Sequence, residues 1–156
     1  MAKGFEQLYG LDYIESFAAV IKQIAWKLVF ALALVNNWSI YKVDMVSAFT
    51  QGNIDTKLYL TMPEGLEYLS IENISEKATK ATIATTSFLR LNKALYGLKQ
   101  SARIWYTTLA NILVTELGYT SLKSESCLFI NRTTNIIICI YAVSYTHLTL
   151  PTKRIV

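Results

Sequence analysis

The sequence predicts an α+β fold, with helices packed on one face of a mainly antiparallel sheet. Three observations point there. Two stretches, 16–35 and 101–117, carry apolar side chains at three- and four-residue steps. Short β-prone runs bounded by Gly, Asn and Pro lie between and after them. The resulting order is helix, strand, strand, helix, hairpin, an arrangement of the α+β class.

A chain of 156 residues is long enough for one domain with a real core and too short for two comfortable ones. Its 53% hydrophobic and 12% aromatic content argues against disorder. The net charge of +4 is compatible with a polyanionic partner without demanding one. The longest apolar run, Leu28 to Val35, falls well short of the roughly 20 residues a membrane span needs, so a buried helix is expected and no membrane partner. Cys127 and Cys139 stand at no metal-ligand spacing, and the lone His147 cannot complete a zinc site with them. The two cysteines read as small core residues of a reducing compartment. No signal peptide is visible, and the sequons at Asn73 and Asn131 read as chance matches.

In order along the chain, Gly4 and Gly10 break a turn-rich start. From Ser16, the spacing of Phe17, Val20, Ile21, Ile24, Leu28, Leu32 and Val35 predicts an amphipathic helix stopped by Asn36-Asn37. Trp38 to Asp44 reads as a strand covered on both faces. After a Gly52-Asn53 turn, Lys57 to Met62 reads as a strand with Leu58, Leu60 and Met62 on one face, ended by Pro63-Glu-Gly65. Residues 67–86 read as a long surface loop, and Phe88 to Leu91 as a short strand. A turn centred on Gly97 leads into a helix from Ser101, with Ile104, Trp105, Leu109, Ile112, Leu113 and Leu117 on one stripe and Gly118 as its stop. Phe129-Ile130 and Ile136 to Tyr141, separated by Asn131-Arg-Thr-Thr-Asn135, read as a hairpin.

The stretch most suggestive of chemistry is Tyr41-Lys-Val-Asp-Met-Val-Ser-Ala-Phe-Thr-Gln-Gly-Asn53. Its β-prone approach delivers one carboxylate, Asp44, and then Ala48, Phe49 and a turn. A carboxylate at the end of a buried strand needs a cation, a metal or hydrogen-bond donors. Taken alone, Asp44 reads as a cap of the following turn rather than a catalyst, and Phe49 as a core residue.

Tyr41 to Gly65 and Leu91 to Tyr106, above all Lys93-Ala-Leu-Tyr-Gly-Leu-Lys-Gln100 with Arg103 and Trp105-Tyr106, closely resemble the reverse transcriptase of Ty1/copia-type LTR retrotransposons. Ala2-Lys-Gly-Phe5, Asp12-Tyr13, Glu15-Ser-Phe17-Ala, Met62-Pro-Glu-Gly65 and Ser126-Cys-Leu-Phe129 extend the likeness over residues 1–141. The resemblance implies a partial palm-and-fingers polymerase fold that copies RNA or DNA with Mg²⁺. Its expected partners are a template–primer, deoxynucleoside triphosphates and the rest of a Gag-Pol-type polyprotein. The expected setting is intracellular, a cytoplasmic virus-like particle for the intact element. Asp44 then matches the first catalytic and metal-binding carboxylate of a two-metal site. Ala48 and Phe49 match the positions under the incoming sugar, where an aromatic ring excludes a 2′-hydroxyl. Tyr96 and Gly97 match the stretch that packs on the nascent base pair, and Lys99 and Arg103 positions near template or primer phosphates. A solvated basic turn is the ordinary alternative for that Lys/Arg pair, and helix core for Trp105 and Tyr106.

The family pattern breaks after Tyr141. Ala142-Val-Ser144 stands where the family has a valine and two aspartates, and no acidic residue follows Glu125. Residues 142–156 show no family likeness and resemble adapter- or vector-derived tails of gene models. Ala102 stands where the family usually has proline. The family's upstream fingers hairpin and its downstream thumb, connection and RNase H regions have no counterpart in the chain. The expectation is a fragment with weak Mg²⁺ binding and no polymerisation. A non-catalytic nucleic-acid-binding remnant and a non-functional pseudogene product are the alternatives.

Overall fold

The computed structural model describes residues 2–61 and 88–141. The order within them is helix α1 (Gln23–Val35), strands β1 (Tyr59–Thr61) and β2 (Phe88–Arg90), helix α2 (Ser101–Asn111), and strands β3 (Thr120–Leu122), β4 (Glu125–Asn131) and β5 (Ile136–Cys139). Short 3-10 turns at Gly4–Glu6 and Ala48–Gln51 complete it. All strand pairings are antiparallel, β1 with β2 and β3-β4-β5 as a second sheet, so the mixed α+β expectation holds. The expected loop 67–86 and the Met62-Pro-Glu-Gly65 ending lie outside the described residues.

The hairpin forms where the turn residues ask for it. Asn131 Oδ1 accepts from the backbone N–H of Thr133 (2.9 Å) and Thr134 (3.1 Å), an Asx-type turn. Asn135 takes a left-handed φ of 57° to re-enter β5. The preceding helix starts at Ser101 as expected. After Asn111 it loosens into a π-helical turn, Ile112–Glu116, and Gly118 ends it with φ 68°. The looser turn changes which side chains face inward: Ile104, Trp105 and Leu113 are buried, whereas Leu117 is exposed.

Side chains on the two faces of the three-stranded sheet go to different helices. Phe129 of β4 and Ile138 of β5 pack with Trp105 and Leu113. Leu128 and Ile130, with Ile137 of β5, pack with Ala25, Trp26 and Val29 of α1. Helices on one face was the expectation. The correction follows from β4 itself, whose consecutive Cys127, Leu128 and Phe129 are all buried, as in a strand covered on both sides.

Three further expectations are corrected. The first helix begins at Gln23, not Ser16, because long-range contacts hold the preceding residues out of the helix. Val20 bridges to Tyr141, and the Lys22 N–H donates to Glu125 Oε2 at 3.2 Å. The helix also turns Ala25, Trp26, Val29 and Ala33 toward the protein, and leaves Ile24, Leu28 and Val35 exposed. It is apolar around most of its circumference, so spacing alone could not choose a face. Trp38 to Asp44 forms no strand. Among the described residues nothing pairs with it, and Tyr41 and Val43 are 85% and 80% exposed. Finally, Cys127 is buried as expected, but Cys139 is exposed.

Candidate active site

Asp44 is exposed and has no hydrogen-bond or ion-pair partner among the described residues. Three residues on, Ser47 adopts a left-handed φ of 52°, and its carbonyl accepts from Thr50 Oγ1 at 2.8 Å. This reversal starts the Ala48–Gln51 turn and swings Ala48 and Phe49 onto the Trp105–Phe129 cluster. Gly52 then lies so close to α2 that a Cβ there would collide with the Ile104 side chain.

The second half of the site is the loop before α2. Gly97 has φ 99°, and the carbonyl of Gly97 fills the space where Gly4 would carry a Cβ. The Ala2 N–H donates to the Tyr96 carbonyl at 2.9 Å. The N-terminal residues thus strap the Tyr96–Gly97 loop in place. The outcome is a contact between residues far apart in sequence: the Phe49 and Tyr96 rings sit 4.6 Å apart at a tilt of 41°. Phe49 is half-buried, and Tyr96 is 42% exposed.

The basic residues nearby are turned to protein partners. Lys99 Nζ donates to the Gln7 carbonyl (3.1 Å) and Tyr13 Oη (3.3 Å) and lies 4.8 Å from the Tyr13 ring centre. Arg103 pairs with the Asp55 carboxylate, and its Nε donates to the Glu15 carbonyl at 3.0 Å. Lys93 Nζ donates to the Gln51 carbonyl at 3.2 Å.

The strap itself was not visible in the sequence. Gln7 Nε2 donates to Gln100 Oε1 at 3.0 Å, while Gln7 Oε1 accepts the Lys99 N–H at 2.8 Å. Gln100, fully buried, donates onward to the Asp12 carbonyl at 3.0 Å. Only a polar residue directly before a helix start hinted at it.

Among the described residues, no three His, Cys, Asp or Glu side chains converge to hold a metal ion. Mg²⁺ on a single carboxylate keeps most of its water shell. Asp44 alone therefore does not fit a catalytic metal pair. No described helix is long and apolar enough to cross a membrane.

Comparison with known proteins gives one consistent result. The family described as reverse transcriptase (RNA-dependent DNA polymerase) matches residues 1–149. The chain is 35% identical over 130 residues to the retrovirus-related Pol polyprotein from transposon RE1 of Arabidopsis thaliana, covering 83% of this chain and 8% of that protein. It is 29% identical over 132 residues to the corresponding polyprotein from transposon TNT 1-94 of Nicotiana tabacum, with 85% and 9% covered. It is 32% identical over 111 residues to the transposon Ty1-BL Gag-Pol polyprotein of Saccharomyces cerevisiae, with 71% and 5% covered. The chain thus spans less than 10% of the length of each of these relatives. No solved structure matches it. With nearly its whole length matched, the chain belongs to the reverse transcriptase family, as a segment similar to part of retrotransposon Pol polyproteins.

Proposed function

We propose that the chain forms the nucleotide-side wall of a reverse transcriptase and does not polymerise by itself. The observation that carries this reading is the Phe49–Tyr96 pair, 4.6 Å between ring centres and joined across two separate segments. The Phe49 ring packs on the Trp105 cluster, which restrains it. A ring under the sugar occupies the volume of a 2′-hydroxyl and favours deoxynucleotides. Tyr96, more exposed, offers a flat apolar surface to the nascent base pair, and Gly97 lets backbone come close to it.

The reaction this wall serves joins a primer 3′-hydroxyl to the α-phosphate of a deoxynucleoside triphosphate, releasing pyrophosphate. In this reading Asp44 is one of several acidic side chains such a centre requires. Ala142-Val-Ser144 follows Tyr141, where the resemblance implies two aspartates, and among the described residues no three acidic side chains converge. Lys99 and Arg103, expected at template or primer phosphates, act chiefly as struts of the loop, given their Gln7, Tyr13, Asp55 and Glu15 contacts. The intact polypeptide works with template RNA and primer inside a cytoplasmic particle.

Primer extension with the purified chain and Mg²⁺ tests the second half of the reading. No extension is expected, and template-directed synthesis abolished by Asp44→Asn would overturn it. For the first half, a polypeptide that continues after Tyr141 with Val-Asp-Asp is the right substrate. There Phe49→Val should raise ribonucleotide incorporation, and an unchanged ratio removes Phe49 from the wall. Sequencing the transcript beyond the Tyr141 codon tests whether residues 142–156 belong to the element.

A further inference from the structure

The described cations next to the Tyr96 loop are turned to protein acceptors, whereas another basic surface faces outward. Strands β1 and β2 pair with Tyr59 opposite Arg90, Leu60 opposite Leu89 and Thr61 opposite Phe88. Side chains alternate across a strand, so Tyr59, Thr61, Phe88 and Arg90 share one face of the ribbon. That is the outer face: Tyr59 and Phe88 are 58% and 57% exposed, while Leu60 and Leu89 turn inward. The pairing continues past the strand ends, because the Leu91 N–H donates to the Leu58 carbonyl at 2.9 Å. Lys57, exposed and next to buried Leu58, extends the outer face toward a hollow of about 310 Å³. Lys57, Arg90, Asn92 and Asp55 line that hollow. The one carboxylate among them, Asp55, is already paired with Arg103.

We propose that this ribbon face, Tyr59 and Phe88 flanked by Lys57 and Arg90, is a binding platform for single-stranded nucleic acid. Its composition matches what a flexible polyanion carrying flat bases needs. Tyr59 and Phe88 are diagonal neighbours, about 7–8 Å apart on an antiparallel pair, which leaves each ring a base of its own. Base–aromatic stacking is indifferent to sequence and is the main attraction in such platforms. Lys57 and Arg90, at the hollow end, neutralise phosphates and release counterions. The platform lies on the ribbon, apart from the Phe49–Tyr96 pair, and stands whether or not the chain polymerises.

Fluorescence anisotropy of the purified chain with labelled oligothymidylate, oligouridylate and a duplex, each of about twenty units, provides the test. Single strands should bind better than duplex, and binding should weaken steeply from about 50 to about 200 mM salt. The two single strands compare DNA with RNA as occupant. Tyr59→Ala and Phe88→Ala should each weaken binding roughly tenfold, and Tyr59→Phe should not. Lys57→Ala and Arg90→Ala should each lower the salt slope by about 0.7. Thr61→Lys, on the same face, should tighten binding and steepen the slope, which keeps the test decisive if an alanine variant folds poorly. No single-strand binding at low salt overturns the platform. So does binding that these variants leave unchanged while Lys99→Ala or Arg103→Ala removes it. That last outcome leaves the reverse transcriptase reading intact, and primer extension alone bears on the latter.

Discussion

Gln7 and Gln100, 93 positions apart, share a buried hydrogen bond of 3.0 Å that ties the N-terminal segment to the start of α2. Both side chains are used at both ends. Gln7 also accepts the Lys99 N–H, and Gln100 also donates to the Asp12 carbonyl. Replacing Gln100 with Leu leaves the Gln7 amide N–H without its buried acceptor, while the Asp12 carbonyl keeps the Thr56 hydroxyl at 3.0 Å. A buried group left unpaired costs about 1–3 kcal/mol, so Gln100→Leu should destabilise the chain by at least that much. Urea unfolding checks it through a lowered midpoint. An unchanged midpoint would mean that water replaces the bond.

Gly4 makes a second, steric prediction. A methyl group there has to displace the Gly97 carbonyl, which is backbone and cannot rotate away. Gly4→Ala should therefore pull the strap off the Tyr96–Gly97 loop. Hydrogen exchange should show faster exchange at Ala2, whose N–H is held by Tyr96, and at Lys99, held by Gln7. The β4–β5 hairpin, remote from this contact, should keep its protection.

The two thiols should behave differently. Burial, with a smaller push from the Glu125 carboxylate, raises the Cys127 thiol from 9.0 to about 11. Cys139, exposed, is also raised by partial desolvation and by Glu125. A disulfide reagent at neutral pH should titrate one thiol, Cys139, in the folded chain and both in urea. Because the folded Cys127 holds its proton more tightly than the unfolded one, its contribution to stability is complete below pH 9 and declines as pH rises toward 11. Cys127→Ala should flatten that decline in a pH series of unfolding midpoints.

Local chemistry was legible in the sequence where it is self-sufficient. The Asn131–Asn135 turn, the Ser101 helix start and the positive φ at Gly118 need only their immediate neighbours. What escaped depends on distant partners. Ser16 to Lys22 has helical spacing, but Val20 meets Tyr141 and Lys22 meets Glu125, and those contacts hold it out of the helix. Trp38 to Asp44 has strand-like composition, yet a strand exists only through its pairing, and among the described residues it has none. At the site, Phe49 packs on the core cluster, as its residue type suggested, and also meets Tyr96, a contact that neither composition nor spacing announced. The partners of Lys99 and Arg103 lie in the N-terminal segment and at Asp55, with no periodicity to announce them.

The strap also sets an order of events during synthesis. Gln7 leaves the ribosome long before Gln100 exists, and at about 5–20 residues per second the wait is roughly 5 to 19 seconds. Through most of that interval Trp26 and Val29 of α1 stand without Leu128 and Ile130, against which they later pack. The Tyr96 loop acquires its shape only when the first-made part of the polypeptide meets a segment from its middle.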